Sequence, residues 1–119
     1  MPLPVQTLSL ANITTAGAVT YSPAQIVGGL ITRNPSGAGR SDVTPTATRL
    51  IAEASLRRVG DTVWCYLINT ATAAEAITIT AGTGVTVVNG DQTVGQNESA
   101  LLLFRKTGEA AISCYVLGA

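Results

Sequence analysis

The chain has 119 residues, enough for one domain with a real core. Its seven basic and seven acidic residues cancel, which removes the basic face that a nucleic-acid binder needs to displace counterions. Charged residues make up 12% of the chain against 46% apolar, about half the roughly 25% charge of an ordinary soluble domain. Some surface is therefore expected to be covered by copies of the chain itself; the alternative is a monomer coated with Thr, Ser, Asn and Gln.

No charge occurs between Met1 and Thr32, and Pro2, Pro4 and Pro23 argue against helix there. Residues 1–25 are read as an extended arm packed on its own domain or on a neighbour, with Leu3, Val5, Leu8 and Leu10 as apolar interface candidates. Residues 26–119 are read as a β-rich domain. Within "AQIVGGLIT" the β-branched residues predict a strand, and Gly28-Gly29 a bulge or sharp bend in it.

The loop "RNPSGAGRSDV" follows. It contains no GxxxxGK[ST] pattern and no lysine, so it is not a phosphate-cradling P-loop. It leads into a helix N-terminus, a place where an anion can bind, although a plain strand-to-helix connection is the simpler reading. Arg33, Arg40 and Asp42 end the neutral run and are candidates for registering subunits against each other. A helix is predicted near residues 45–58, with Thr44 as cap and Pro45 in the first position. Ala47, Leu50, Ile51 and Ala54 fall at helical spacing on its buried face. Gly60 marks its end.

Beyond Gly60 the pattern predicts about six short antiparallel strands. "DTVWCYLIN" is apolar on both phases of its alternation, the mark of a central strand buried on two sides. "EAITIT" points Ile77 and Ile79 inward, and Asn89-Gly90 between β-branched runs predicts a hairpin. "SALLLFRK" and "AAISCYVLG" flank a second tight turn. Gly82-Thr83-Gly84 precedes another strand rather than a helix, so it reads as a turn and not as a dinucleotide fingerprint.

Chemistry is sparse. There is no histidine, which removes the commonest general base and zinc ligand. The seven carboxylates show no spacing that forces a pair; a small hydrolase would need two of them, such as Asp42 and Asp61, to converge. Cys65 and Cys114 match no metal or redox motif and are read as buried thiols, with a cross-strand disulfide as the alternative. The five aromatics suit core or interface packing rather than a stacking platform. No secretory leader is recognised, and no run of apolar residues is long enough to span a bilayer, so no membrane partner is expected.

Three patterns resemble small virion proteins of tailed bacteriophages. The first comprises Arg33, Asn34, Pro35, Gly37, Arg40, Asp42, Pro45, Thr46 and Ala47; the second Ile68, Asn69 and Thr70; the third Thr78, Ile79, Ala81, Gly82, Gly84, Val85 and Thr86. The resemblance covers about residues 26–118 and implies a capsid decoration, or cement, protein. Such a protein is a homotrimer on the outer capsid surface, partnered by the major capsid protein, without cofactor or catalysis. Related modules in tail or head fibres supply the alternative, a host-attachment role. The expected fold is all-β, a small antiparallel sandwich or barrel with one short helix and an extended N-terminal arm.

Overall fold

The computed structural model describes residues 7–119. The chain runs through strand β1 (Ser9–Ile13), helix α1 (Pro23–Gly28), strands β2 (Gly29–Arg33) and β3 (Arg40–Val43), and helix α2 (Ala47–Ala54). Strands β4 (Thr62–Asn69), β5 (Ile77–Thr80), β6 (Val85–Val87), β7 (Gln92–Val94), β8 (Ser99–Gly108) and β9 (Ala111–Leu117) follow. Six strands form one sheet in the order β1-β2-β4-β8-β9-β6, and three form a second in the order β3-β5-β7.

The expected all-β antiparallel sandwich is corrected by the pairing. In the large sheet β1, β2 and β4 are mutually parallel, as are β6 and β9; β8 pairs antiparallel with β4 and with β9. Five strands thus share one direction and β8 alone opposes them. The small sheet is mixed as well, with β3 parallel to β5 and β7 antiparallel to it. Parallel neighbours cannot be joined by a two-residue hairpin and need a crossover. The alternation of apolar residues identified strands but carried no information on their direction.

The hairpin expected at Asn89-Gly90 shows the same limit. Both residues adopt positive φ, 70° and 81°, as the turn chemistry demands. The strands on either side of it do not pair, however. β6 joins β9 in the large sheet and β7 joins β5 in the small one, so the turn passes the chain from one layer to the other.

A second helix replaces the first half of the strand expected in "AQIVGGLIT"; the bend falls at Gly29 as expected, and β2 follows it. Ser22 caps α1 through a reciprocal box: the Gln25 amide donates to Ser22 Oγ at 3.2 Å, and the Ser22 amide donates to Gln25 Oε1 at 2.9 Å. Pro23 takes the first turn, and Gly29 at φ 88° closes the helix. The string Ser22-Pro23-Ala24-Gln25 is a capping-box signal that the β-branched content of "QIVGGLIT" hides. Helix α2 is shorter than expected at both ends, running from the Thr46 cap to Ser55, which takes the left-handed C-cap with φ 54°. Thr44 is not the cap because it is used elsewhere. Its amide donates to Thr80 O, its hydroxyl donates to Pro45 O, and its Oγ1 accepts from the Gly82 amide.

The crossovers explain where the core lies. From β1 to β2 to β4 the chain steps in one direction across the sheet, and crossovers of one hand taking such steps fall on one face. That inner face carries Ile31, Cys65, Leu67, Leu102, Phe104 and Cys114, all fully buried. Against it pack Ile26 of α1, Leu50 of α2, Ile77 and Ile79 of β5, and Val94 of β7. The result is a slab, 41 by 39 Å across and 21 Å along its shortest axis, the thickness of two layers roughly 10 Å apart.

Gly82 sits where the loop before β6 crosses the start of α2. A Cβ there would stand 2.5 Å from Thr44 O and 2.8 Å from Pro45 O, both backbone atoms that cannot step aside. Gly82→Ala is expected to lower stability by about 1–3 kcal/mol through this clash, measured as a shift of the urea midpoint at unchanged slope.

Candidate functional site

The opposite face of the six-stranded sheet has no covering layer among the described residues. Its side chains follow from the alternation along each strand and from the register between strands. One row runs across five strands: Leu10 beside Leu30, Leu30 beside Tyr66, Tyr66 beside Leu101, and Leu101 beside Leu117. The next row sets Trp64 beside Leu103 and Leu103 beside Tyr115. On the other side of the first row lie Asn12, Thr32, Ile68 and Ser99.

These residues are accessible. Leu10 is 60% exposed, Tyr66 45% and Trp64 38%, while Leu30, Leu101, Leu103 and Tyr115 are half-buried between their neighbours. Trp64 and Tyr66 meet edge to face, with ring centroids 5.3 Å apart. Charge is almost absent from these rows. Arg105, beside Thr62 and Ser113, closes one end of the face, and no carboxylate falls on an outward position of its strands. A groove of about 280 Å³ lined by Leu8, Val27, Gly29 and Trp64 adjoins the same corner.

This face corresponds only in part to the residues singled out from the sequence. Leu8 and Leu10 belong to it. Leu3 and Val5 lie outside the described residues. Residues 9–13 of the expected arm form β1 on the protein's own sheet, and α1 begins before its end. Arg40 stays within its loop, donating to Pro35 O and Ser36 O.

Arg33 and Asp42, expected at a subunit contact, are fully buried. Their pair is 2.7 Å long. Every guanidinium hydrogen is used. Nε and Nη2 donate to the two oxygens of Asp42, Nη2 also to Gly17 O, and Nη1 to Thr15 O and Asn34 O. Asp42 also accepts from the Tyr21 hydroxyl at 2.7 Å and the Val19 amide at 3.1 Å. Burial, reinforced by the adjacent carboxylate, pushes the Tyr21 phenol far above its ordinary range. Asp42 thus has no oxygen facing a solvent-filled cleft. Asp61 has separate partners at the surface, the amides of Arg57 and Arg58, which hold its carboxyl below the usual value.

At the start of α2 the Ala47 amide donates to Thr83 O, so the loop before β6 takes up one of the helix's first free N–H groups. No group of three His, Cys, Asp or Glu side chains that could hold a metal occurs among the described residues. No helix among the described residues is long and apolar enough to cross a membrane. The outward row on β4, β8 and β9 was the part that sequence reasoning missed. Its signal was the second apolar phase of "DTVWCYLIN", which reads as burial but is left exposed among the described residues.

Breaking the Arg33–Asp42 pair strands a charge in the interior. Arg33→Met is expected to cost about 3–5 kcal/mol, read from urea unfolding. The thiols yield a second expectation. Cys65 and Cys114 are free and buried, on strands separated by β8, and burial pushes both up to about 12. Neither should react with a thiol reagent at pH 8 in the native protein, and both should react in denaturant. With both values raised on folding, their contribution to stability is complete below the ordinary thiol value of 9.0 and is lost as pH climbs towards 12. Cys65→Ala with Cys114→Ala should flatten that part of the alkaline unfolding curve.

No protein-family model, no curated protein and no solved structure matches this chain.

Proposed function

We propose that the chain is a tailed-bacteriophage capsid decoration protein, one that adheres to the outer surface of the major capsid shell as a homo-oligomer and stabilises it. Three copies are the number implied by the sequence resemblance. The observation that carries the reading is the uncovered, nearly uncharged apolar face of the six-stranded sheet. Ligand and active sites are concave, with convergent polar or titratable groups. Here the accessible feature is a broad apolar surface, suited to packing by area inside an assembly rather than to chemistry.

Two further features fit. A slab 21 Å thick can lie on a shell with a small profile. Repetition of one module over a symmetric lattice multiplies modest contacts into firm attachment. The residues that carry the resemblance also bear structural duties: Arg33 and Asp42 in the ion pair, Gly82 under Thr44, and Asn69 bonded through Nδ2 to Glu75 O and Val94 O. They behave as determinants of architecture rather than of catalysis.

Purified protein mixed with undecorated shells of its source virus should co-sediment to saturation and raise the temperature at which the shells rupture. Shells left bare would overturn the reading. Binding instead to host cells or their surface glycans would move the module to a tail or head fibre.

A further inference from the structure

We propose that the outer face of the six-stranded sheet is the surface on which another copy of this chain packs. The proposal assigns the self-contact within the decoration reading above, and rests on that reading only in treating the chain as part of an assembly.

The composition of the face selects the occupant. Surfaces that meet a partner transiently are about as polar as the rest of a protein, whereas interfaces between permanent copies resemble a core cut in half. The rows centred on Leu30, Tyr66, Leu101 and Leu103 are of the second kind: large aliphatic and aromatic side chains in register, with Arg105 at one end as their charge. The strand pattern says the same. On β4 the inward phase is Cys65, Leu67 and Asn69, all buried, and the outward phase is Trp64, Tyr66 and Ile68, all exposed. Both phases have the make-up of a sheet buried on two sides, and the chain buries one.

Electrostatics narrows the choice further. A basic or acidic partner would need an answering charge, and the outward rows offer no carboxylate and a lone guanidinium at the margin. A neutral face opposed to its own copy meets no repulsion, and the whole chain carries no net charge. Area is adequate. Five strands roughly 4.8 Å apart, averaging about 20–25 Å in length, make a face of roughly 500–600 Å² in projection, polar positions included. Corrugation by Trp64, Tyr66 and Leu10 raises the accessible area towards the ~800 Å² per partner of a standard interface. A monomer seldom leaves a larger apolar patch open.

The test is mass measured by light scattering or sedimentation at micromolar concentration, on the full chain and on the double variant Leu10→Glu with Tyr66→Glu. Both positions are exposed, so circular dichroism should show the variant folded. The proposal expects an oligomer for the unaltered chain, a 12.1 kDa species for the variant, and dissociation strengthened by roughly a hundredfold or more. A monomeric unaltered chain, or an oligomer that persists in the folded variant, overturns it.

Should the variant fail to fold, Trp64 decides on the unaltered protein, since it is the chain's single tryptophan. Emission blue-shifted and shielded from acrylamide in the oligomer supports the contact, and an oligomer whose Trp64 stays open to quencher refutes it. Shell binding is scored apart from mass. A self-associating chain that leaves shells bare defeats the decoration reading and keeps this one; a monomer that coats shells does the reverse.

Discussion

The buried pair of Arg33 and Asp42 is the constraint on which the rest of the layout depends. A guanidinium taken out of water is tolerable only when all five of its hydrogens are placed, and here they are. Those placements join parts of the chain that are distant in sequence. Carbonyls of Thr15 and Gly17 tie down the link between β1 and α1, and Asp42 fixes β3 alongside it. The Val19 amide and the Tyr21 hydroxyl complete the ring. A parallel bridge between Thr20 and Val43 continues the contact. The pair therefore specifies how the first crossover lies on the second layer more than it adds net stability, since buried ion pairs return little beyond their own desolvation.

From that layout comes the asymmetry of the slab. Parallel steps of one hand from β1 to β2 to β4 put their crossovers on the same side, and the helices and the small sheet lie there, while the other side is bare among the described residues. In folds whose strand order reverses, cover falls on both faces. Here β1-β2-β4 never reverses. The open face is thus a result of topology rather than a local lapse in packing, and the long outward row from Leu10 to Leu117 exists because five strands in register share it.

What was legible in the sequence and what was not divide along physical lines. Ile77 and Ile79 were expected to point inward from their alternation, and both are fully buried. Helix α2 was visible from Leu50 and its neighbours, though its ends were set by Thr44 being drawn to Gly82 and by Ser55 accepting a left-handed turn. Strand direction was not legible, because a parallel and an antiparallel strand display the same alternation. Helix α1 was hidden because Ile26 and Val27 run on into the β-branched residues of β2 and look like strand unless the capping box is weighed first. Arg33 and Asp42 drew attention as charges ending a neutral run, but only their three-dimensional partners reveal that they point into the protein. The outward apolar residues of β4 were legible as apolar, and illegible as exposed.

The mixed direction of the strands also has a bearing on the order in which the protein forms. β8 and β9 make the one neighbouring pair of strands in the large sheet that are joined by a tight turn; every other seam closes a loop many residues long, and such long-range pairings are slow. The hairpin from Ser99 onward is therefore the natural seed, yet it is the part of the described fold made last on the ribosome. Leu30 and Tyr66 emerge well before Leu101 and Leu117 can flank them. The broad apolar row is therefore assembled only once Leu101 and Leu117 have been made, so the outer face and the core behind it form in the same late step.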